Sequence, residues 1–294
     1  MTSLDSSSSK LVLITGASSG IGRATALLLD AQGYTVLAGV RREEDGTALR
    51  REASSRLSTL ILDVTSPDHI RAAHAAVVGL AGGRGLYALI NNAGFNYNAA
   101  FEYSDEAKAR ALMEVNFFGL YKLSQTMIPL LRQAAEKTGE KTKLINLGSI
   151  GNVVGFPWEA FYHASKFALL GLSQSLHHEL YRQNIRVTLV QPGVIRTPFI
   201  EKTQASIAEA IAAMPAEGVT LYGKGLARLS AMAVSSGRLG SSPEAVARAI
   251  LRVIAASNPP FRLFVGFDAR MMNLLRIILP GRLFHGLLRS NFGC

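Results

Sequence analysis

The sequence predicts one α/β domain built on a doubly wound parallel sheet with helices on both faces. Short apolar runs typical of buried strands alternate with segments of helical spacing along the chain. Such alternation indicates βαβ units with right-handed crossovers. A glycine-rich turn joins the first strand to the first helix, and no break in composition divides the 294 residues into two domains.

The predicted elements follow one another in a regular order. Six apolar segments are predicted as β-strands, and a final strand is expected late in the chain: 11–15, 35–40, 58–62, 87–91, 143–147, 186–191 and then Arg262–Val265. Helical patterns lie between the strands, near residues 24–31, 45–53, 67–78, 105–131 and 160–181. In such a sheet a ligand is expected across the carboxyl ends of the strands, where the strand order reverses.

The turn after the first strand reads Thr15-Gly16-Ala17-Ser18-Ser19-Gly20-Ile21-Gly22. Glycine permits a tight turn and a close approach of backbone to phosphate, and the free N–H groups of the following helix attract anions. The spacing Gly-x-x-x-Gly-x-Gly differs from the commoner dinucleotide pattern Gly-x-Gly-x-x-Gly. The glycines alone therefore leave an unliganded turn as an equal alternative.

Tyr162 and Lys166 are the most informative pair in the chain. Residues four apart on a helix face the same way, which places the phenol beside the ammonium group. A neighbouring cation lowers the pKa of a tyrosine, and the tyrosine then becomes a usable general acid–base for interconverting a carbonyl and an alcohol. Ser149 closes the strand-like run just upstream. It is either a turn residue or a hydrogen-bond donor to the carbonyl oxygen that Tyr162 protonates.

These elements, in this order, resemble the short-chain dehydrogenase/reductase family and its Rossmann-type fold, from about Lys10 to Thr197 and more loosely to Val265. The glycine turn matches the family's cofactor loop. Asp63-Val64 matches its adenine-contacting pair, Asn91-Asn92-Ala93-Gly94 matches the segment after the fourth strand, and Asn116 matches the helix asparagine. Ser149 matches the catalytic serine, and Tyr162 with Lys166 matches the Tyr-x-x-x-Lys pair. Pro192-Gly193 with Thr197 matches the nicotinamide-side loop.

The resemblance implies a function for each matching residue. The catalytic set would be Asn116, Ser149, Tyr162 and Lys166, with Asn116 helping to hold a water that relays protons to Lys166. Asparagine is unfavourable inside a helix, which fits a functional residue there. The residues expected to contact the cofactor are Gly16, Ser18, Ser19, Gly20, Ile21, Gly22, Arg41, Asp63, Val64, Asn91, Ala93, Gly94, Tyr162, Lys166, Pro192, Gly193, Ile195 and Thr197. Asp63, Asn91 and Asn92 are also residue types that stabilise ordinary turns.

The end of the second strand favours NADP(H) over NAD(H), with NAD(H) left open. An NAD enzyme of this kind usually has an acidic residue there for the ribose hydroxyl, whereas this chain has Gly39 and then Arg41-Arg42. An arginine fork suits the 2′-phosphate of NADP. The alternative is an exposed arginine neutralised by the acidic residues that follow. A basic residue in the glycine loop, the other mark of NADP, is absent because Ser18 and Ser19 stand there.

Bulk properties exclude several classes of protein. The only cysteine, Cys294, excludes a disulfide framework and a cysteine metal cluster, and the histidines lack partners at ligand spacing, so no metal is expected. The net charge of +10 comes without a basic stripe interleaved with aromatics, so no nucleic-acid partner is expected. Residues 1–9 are expected to be a disordered leader and not a signal peptide. We expect the protein to be cytoplasmic, with peripheral membrane contact as an alternative.

The predicted substrate is an apolar alcohol or ketone, because apolar residues surround the catalytic motifs. The pattern loosely resembles the hydroxysteroid and retinol dehydrogenase branch, so a steroid-, retinoid- or lipid-like compound is expected. One alternative is a 3-oxoacyl-carrier-protein reductase, whose basic surface would dock an acidic carrier. Another is a dinucleotide-sensing protein without catalysis, although the complete set of catalytic residues argues against it.

The predicted domain plan has a catalytic unit over residues 10–266, which includes a helical substrate flap over 198–240, and a basic tail over 267–294. Pro280-Gly281 is expected to split the tail into two short helices. Over residues 268–289 the pattern is basic and amphipathic, which suits either an anionic membrane surface or packing on the protein itself. The family resemblance implies a homodimer or homotetramer.

Overall fold

The computed structural model describes residues 10–292, and its centre is a seven-stranded sheet. The strands lie in the order β3-β2-β1-β4-β5-β6-β7, and every neighbouring pair is parallel. The strand order reverses between β1 and β4, because the chain returns from β3 at one edge, through the helix Pro67–Ala81, to β4 beside β1. Their bounds are β1 Leu11–Ile14, β2 Thr35–Val40, β3 Leu57–Ile61, β4 Ala88–Asn91, β5 Thr142–Leu147, β6 Ile185–Pro192 and β7 Arg262–Val265. The predicted doubly wound sheet is confirmed.

Helices cover both faces of this sheet because both faces are apolar. Alternate residues of β1 enter different cores: Val12 and Ile14 join one hydrophobic cluster, while Leu11 and Leu13 join the other. The helices are α1 Gly20–Ala31, α2 Glu43–Arg50, α3 Pro67–Ala81, α4 Glu106–Met113, α5 Leu120–Thr138, α6 Ala160–Glu179, α7 Phe199–Ala213, α8 Ala216–Leu239, α9 Pro243–Ala255, α10 Phe267–Ile278 and α11 Gly281–Phe292.

The helix predicted over 105–131 is the largest local correction. It consists of α4, a π-helical segment Glu114–Gly119 that contains Asn116, and α5. Apolar spacing cannot distinguish these segments because a π-turn only widens the helix locally. Helix α9 was not predicted, although Ser242 caps it by accepting a hydrogen bond from the Ala245 N–H and Pro243 opens it.

The two segments expected to be helical beyond β6 are helical. Helices α7 and α8 occupy the predicted flap, and the tail forms α10 and α11 on either side of Pro280. No helix within residues 10–292 is long and apolar enough to cross a membrane. The predicted leader, 1–9, and Cys294 lie outside the described residues.

Candidate active site

Ser149, Tyr162 and Lys166 meet beyond the carboxyl end of β5. Tyr162 and Lys166 lie one turn apart on α6, and the Lys166 Nζ is 5.6 Å from the centre of the Tyr162 ring. The Ser149 hydroxyl lies close enough to the Tyr162 phenol to exert a lowering influence on its pKa. The Lys166 Nζ also donates to the Leu147 carbonyl over 2.9 Å. The structure thus brings together three of the four predicted catalytic side chains.

The pKa of Tyr162 lies above its ordinary value, opposite to the direction that the spacing with Lys166 predicts. Burial raises the pKa of Tyr162 to about 12, against the lowering influence of Ser149 and with the charge of Glu159 adding to the rise. Burial also lowers the pKa of Lys166 to about 8. In a poorly solvated site the cost of forming either ion exceeds the benefit that Lys166 was expected to give the phenolate.

Asn116 is completely buried in the π-helical segment, beside the other catalytic residues. Its amide oxygen accepts the Phe95 N–H at 3.0 Å, and its amide nitrogen donates to the Phe95 carbonyl and to Ser165 of α6. A Cβ at Gly94 would lie 3.1 Å from the Asn116 oxygen and 3.9 Å from the Lys166 Nζ. Asn116 therefore ties the chain after Gly94 to α6, directly next to Lys166.

Asn152 is a site residue that the sequence analysis missed. Its amide oxygen accepts the Ser149 N–H, its amide nitrogen donates to the Lys166 carbonyl, and it is fully buried. The Ser149 hydroxyl accepts the Gly151 N–H at 3.1 Å, which closes a capping box around the short turn. Asn152 therefore fixes Ser149 relative to α6. The serine–asparagine spacing of a capping box was the signal available in the sequence.

The glycine turn adopts the shape that phosphate binding requires. Gly16 and Gly20 have φ values of +66° and +55°, a region that favours glycine. A Cβ at Gly22 would collide with the Gly16 carbonyl, so the chain passes too closely for any side chain. Ser19 precedes α1 without a side-chain cap, which leaves the first N–H groups of α1 available for an anion. Ser18 is exposed, and Ile21 packs against the core.

The Asn91-to-Gly94 segment is more structural than predicted. Asn91 is buried, and its amide nitrogen donates to Ser124 and Asn146 at 2.8 Å each, so its side chain serves a polar network inside the fold. Asn92 instead donates to the Thr15 and Gly16 carbonyls. The Thr15 hydroxyl accepts the Asn92 and Ala93 N–H groups. Thr15 and Asn92, which were absent from the predicted cofactor set, thus brace the glycine turn.

The expected adenine-contacting pair is divided between two environments. Asp63 accepts the Thr65 N–H at 2.9 Å and the Thr65 hydroxyl at 2.7 Å. Burial acts to raise the pKa of Asp63, but these bonds and nearby Arg41 lower it overall. The side chain of Val64 is buried in the core and would be within reach of a Cβ at Gly119. Only Asp63 therefore offers a partly exposed side chain toward a base.

Arg41 and Arg42 follow β2, and they differ in their partners. Arg42 binds both carboxylate oxygens of Asp45 at 3.0 Å. Arg41 is exposed and makes no ion pair or hydrogen bond within the described residues. A Cβ at Gly39 would lie 2.8 Å from Leu62 Cδ2, so an acidic side chain at position 39 has no room. Arg41 is thus the arginine available to a phosphate.

The loop after β6 closes the other side of the cleft. Thr197 lies against the glycine turn, with its Cγ2 only 3.0 Å from where a Cβ of Gly20 would be. Ile195 is buried and pairs with Ser241. Asp268, at the start of α10, accepts the Val194 N–H at 2.6 Å, and it fills the space where a Cβ of Gly193 would stand. Pro192 ends β6 itself.

These features fit a dinucleotide along the carboxyl ends of β1, β2, β4 and β6. The glycine turn would hold a pyrophosphate, Asp63 and Arg41 would face the adenosine, and the Tyr162 phenol would face the nicotinamide and the reacting carbonyl. A family model described as short chain dehydrogenase matches residues 10–208. The chain belongs to the short-chain dehydrogenase family. It is an oxidoreductase of the alcohol/carbonyl type.

Individual relatives match over most of their length. The chain is 33% identical to the 3-ketodihydrosphingosine reductase of Bacteroides thetaiotaomicron, over 87% of this chain and 88% of that protein. It is also 33% identical to human 17-beta-hydroxysteroid dehydrogenase type 2, over 97% of this chain and 74% of the relative. A crystal structure of a short-chain dehydrogenase from Streptomyces avermitilis superposes with a TM-score of 0.72 and 27% identity, covering 96% of this chain and 93% of that one.

Proposed function

We propose that this short-chain dehydrogenase uses NADP(H) to interconvert a hydroxyl group and a carbonyl on an apolar, lipid-like substrate. The observation that carries the proposal is the arrangement of Ser149, Tyr162 and Lys166 under helix α7. The Tyr162 ring lies 6.1 Å from that of Phe199, at the start of α7. The reacting groups are thus covered by an apolar flap, and a carbonyl beside them would be shielded from water.

In the direction of reduction, the chain's residues supply the proton and position the oxygen. The bound nucleotide supplies the hydride. Tyr162 donates its phenolic proton to the carbonyl oxygen, and the high pKa of the buried phenol keeps that proton in place until the oxygen gains charge. Ser149 donates a hydrogen bond to the same oxygen. Lys166 holds the ribose of the nucleotide and, once the phenol has lost its proton, stabilises the phenolate.

Replacing one oxygen tests this mechanism. Tyr162→Phe removes the acidic proton but keeps the ring, so turnover should fall at least about a hundredfold while nucleotide binding stays nearly intact. Binding is measured by titration of NADPH fluorescence and turnover by the loss of NADPH absorbance. Ala164→Ser, on the exposed face of the same helix, is the control. Loss of only a few-fold in Tyr162→Phe would remove Tyr162 from the proposed role.

Preference for NADP(H) rests on Arg41, which has no hydrogen bond or ion pair within residues 10–292, while Arg42 is held by Asp45. A charge-assisted contact to phosphate contributes roughly 1.5–3 kcal/mol. Arg41→Ala should therefore reduce the ratio of kcat/KM for NADPH over NADH by about ten- to a hundredfold. Arg51→Ala, which replaces an exposed arginine directly after α2, is the matched control. Equal efficiency of the unmodified enzyme with both nucleotides would contradict the preference.

An apolar substrate is supported by the residues around the catalytic groups. Phe161 stacks on Tyr97 and Phe101, and Trp158 packs against Tyr222 of α8. Relatives named for a long-chain sphingoid ketone and for steroids are both consistent with such walls. A panel comprising 3-ketodihydrosphingosine, a 17-ketosteroid, retinal and a 3-oxoacyl carrier protein tests the class. Turnover of the carrier-bound substrate alone would favour the carrier-protein reductase, and no turnover of any ketone would contradict the enzyme assignment.

We further infer that α10 and α11 lie on an anionic membrane surface. In α10, Phe267, Met271, Leu274 and Ile278 follow the spacing of one helical stripe and are all exposed, with Phe267 78% accessible. The opposite side packs on the protein through buried Ala269. Ile277, Leu283 and Leu287 extend the exposed apolar surface, and the exposed arginines on the same two helices are Arg270, Arg276, Arg282 and Arg289. Apolar and cationic groups together suit the headgroup region.

Substitution within the stripe tests the membrane contact without disturbing the core. Met271→Ser, Leu274→Ser and Ile278→Ser combined should abolish sedimentation with liposomes containing phosphatidylserine. Val78→Ser with Leu80→Ser, exposed apolar residues on α3, is the control. If the unmodified protein does not sediment, or if light scattering shows that the stripe variant dissociates a dimer or tetramer, the surface contacts protein and not lipid.

A further inference from the structure

A largely buried acidic side chain, Glu159, stands near Tyr162, and no lysine or arginine within residues 10–292 pairs with it. Glu159 immediately precedes α6 and makes no cap bond to the helix. Its side chain is only 14% exposed and turns instead toward the segment after Gly94. There one carboxylate oxygen accepts the side-chain amides of Asn96 at 2.6 Å and Asn98 at 3.2 Å. Two neutral donors compensate only part of the cost of burying a carboxylate.

The two asparagines carry further unused acceptors. The side-chain oxygens of Asn96 and Asn98 are both buried and have no hydrogen-bond partner within the described residues. Asn98 has no exposed surface, and its backbone N–H donates to Ser206 of α7, which fixes the residue beneath the flap. Because both amides donate to the same Glu159 oxygen, their own oxygens lie close to that carboxylate. Two acceptors without a donor, the Asn96 and Asn98 side-chain oxygens, therefore lie beside the Glu159 carboxylate.

His163 does not neutralise Glu159. The imidazole Nε2 lies 3.4 Å from a Glu159 carboxylate oxygen, but the same nitrogen accepts the Phe156 N–H at 2.9 Å. A ring nitrogen that accepts a hydrogen bond carries no proton. The other ring nitrogen faces the Gly151 carbonyl, which suits a donor there. With its Nε2 accepting the Phe156 N–H, His163 donates no hydrogen bond to Glu159 from that nitrogen.

The cluster is close to the reacting groups. Glu159, Tyr162 and Lys166 are spaced three and four apart along α6, so they follow one face of the helix. Side chains at this spacing have Cβ atoms about 5–6 Å apart. The charge of Glu159 also contributes to the raised pKa of Tyr162. A substrate whose carbonyl lies against Tyr162 would have the carbons next to that carbonyl within reach of Glu159.

We propose that Glu159, Asn96 and Asn98 form a subsite for a protonated amino group carried by the substrate close to the reacting carbonyl. An ammonium group offers three donors to these three acceptors and neutralises the buried charge. This inference rests on the proposed oxidoreductase function and narrows it, because a steroid ketone has no amine, whereas a 3-keto sphingoid base carries one next to the carbonyl. The Glu159 carboxylate then favours apolar ketones that carry an amino group over apolar ketones that do not.

Two matched substrates test the subsite: 3-ketodihydrosphingosine and the same long-chain ketone without its amino group. The enzyme should reduce the amino ketone with a kcat/KM about ten- to a hundredfold higher. In Glu159→Gln, which keeps an acceptor for both asparagines but removes the charge, this preference should disappear; the ratio of kcat/KM for the two ketones is the readout, because any effect of the lost charge on Tyr162 is common to both. Glu159→Asp should keep most of the preference. Glu179→Gln, at the exposed far end of α6, is the control.

A binding measurement separates this inference from the proposed function. Trp158, the only tryptophan in the chain, adjoins Glu159, so its fluorescence reports ligands at the subsite without turnover. Dihydrosphingosine should quench it at a concentration about ten- to a hundredfold lower than the corresponding diol without the amine. Equal turnover of the two ketones overturns the subsite but leaves the oxidoreductase. If neither ketone is reduced, the proposed function fails, and equal binding of the amine and the diol would then overturn the subsite as well.

Discussion

Lys166 is needed for the proposed chemistry, and its burial should make the folded protein less stable than it could be. The side chain is 6% exposed, and its pKa falls from an ordinary 10.5 to about 8 because the ammonium is desolvated. Each pKa unit corresponds to about 1.4 kcal/mol, so keeping this charge folded at neutral pH costs roughly 3 kcal/mol. Lys166→Met removes that cost but leaves the Leu147 carbonyl without its donor, which costs about 1 kcal/mol.

The net expectation is that Lys166→Met abolishes turnover and stabilises the fold by about 2 kcal/mol, or roughly 4 °C in Tm. The sign follows from linkage. A base whose folded pKa is depressed imposes its full penalty below the folded value, and the penalty disappears as the pH rises from about 8 toward 10.5. The gap between the variant and the unmodified protein should therefore be largest near neutral pH and shrink across that window.

Thermal melts without nucleotide, recorded at about pH 7 and about pH 10, measure this gap. Lys143 provides the comparison because burial, together with neighbouring cations, lowers its pKa to about 8 as well, in β5 and outside the site. Lys143→Met should raise Tm similarly while activity persists. A Lys166→Met protein that melts at or below the unmodified protein at neutral pH, or whose gap is the same at both pH values, would refute the reasoning.

Three further substitutions follow from contacts in the site. Asn152→Ala removes the hydrogen bonds to the Ser149 N–H and the Lys166 carbonyl. We therefore expect kcat to fall at least about tenfold, and urea unfolding to show that the free energy of unfolding is lower by roughly 2–4 kcal/mol. An unchanged kcat would make Asn152 purely structural. Gly39→Asp should lower Tm because its side chain would collide with Leu62. The double variant Gly39→Asp with Leu62→Ala should recover Tm and shift the nucleotide preference toward NADH. An unchanged Tm in the single variant would contradict this. Asp268→Asn weakens the bond to the Val194 N–H and should raise the KM for nucleotide several-fold in steady-state assays, with Asp68→Asn as an exposed control.

The positions of the strands along the chain and the meeting of Ser149, Tyr162 and Lys166 could be predicted because both depend on local patterns. Apolar runs of strand length specify the sheet, and the four-residue spacing of Tyr162 and Lys166 specifies a shared helix face. The glycine turn was equally accessible, since its positive φ values explain why glycines stand at positions 16 and 20. Each of these features depends on residues that are close together in the sequence.

Features that depend on several segments were not accessible in this way. The pKa of Tyr162 is raised because the whole surrounding fold buries it, which spacing along α6 cannot reveal. Asn91 and Asn92 are adjacent and identical in type, yet one serves the interior and the other the glycine turn. The Glu159 cluster likewise joins the start of α6 to the loop following Gly94, two segments separated by about sixty residues.

Asp268 has a consequence for how this protein can be shortened. It belongs to α10, which carries the exposed apolar stripe, yet its carboxylate holds the backbone of the loop after β6. Cutting the chain after Val265 to improve solubility would therefore remove a support of the nucleotide site together with the apolar surface. A cut at Pro280 keeps that support and removes only α11, although it uncovers Val153 and Val154, against which Phe284 and Leu288 pack. Surface substitution is the cleaner route to a monodisperse, active enzyme.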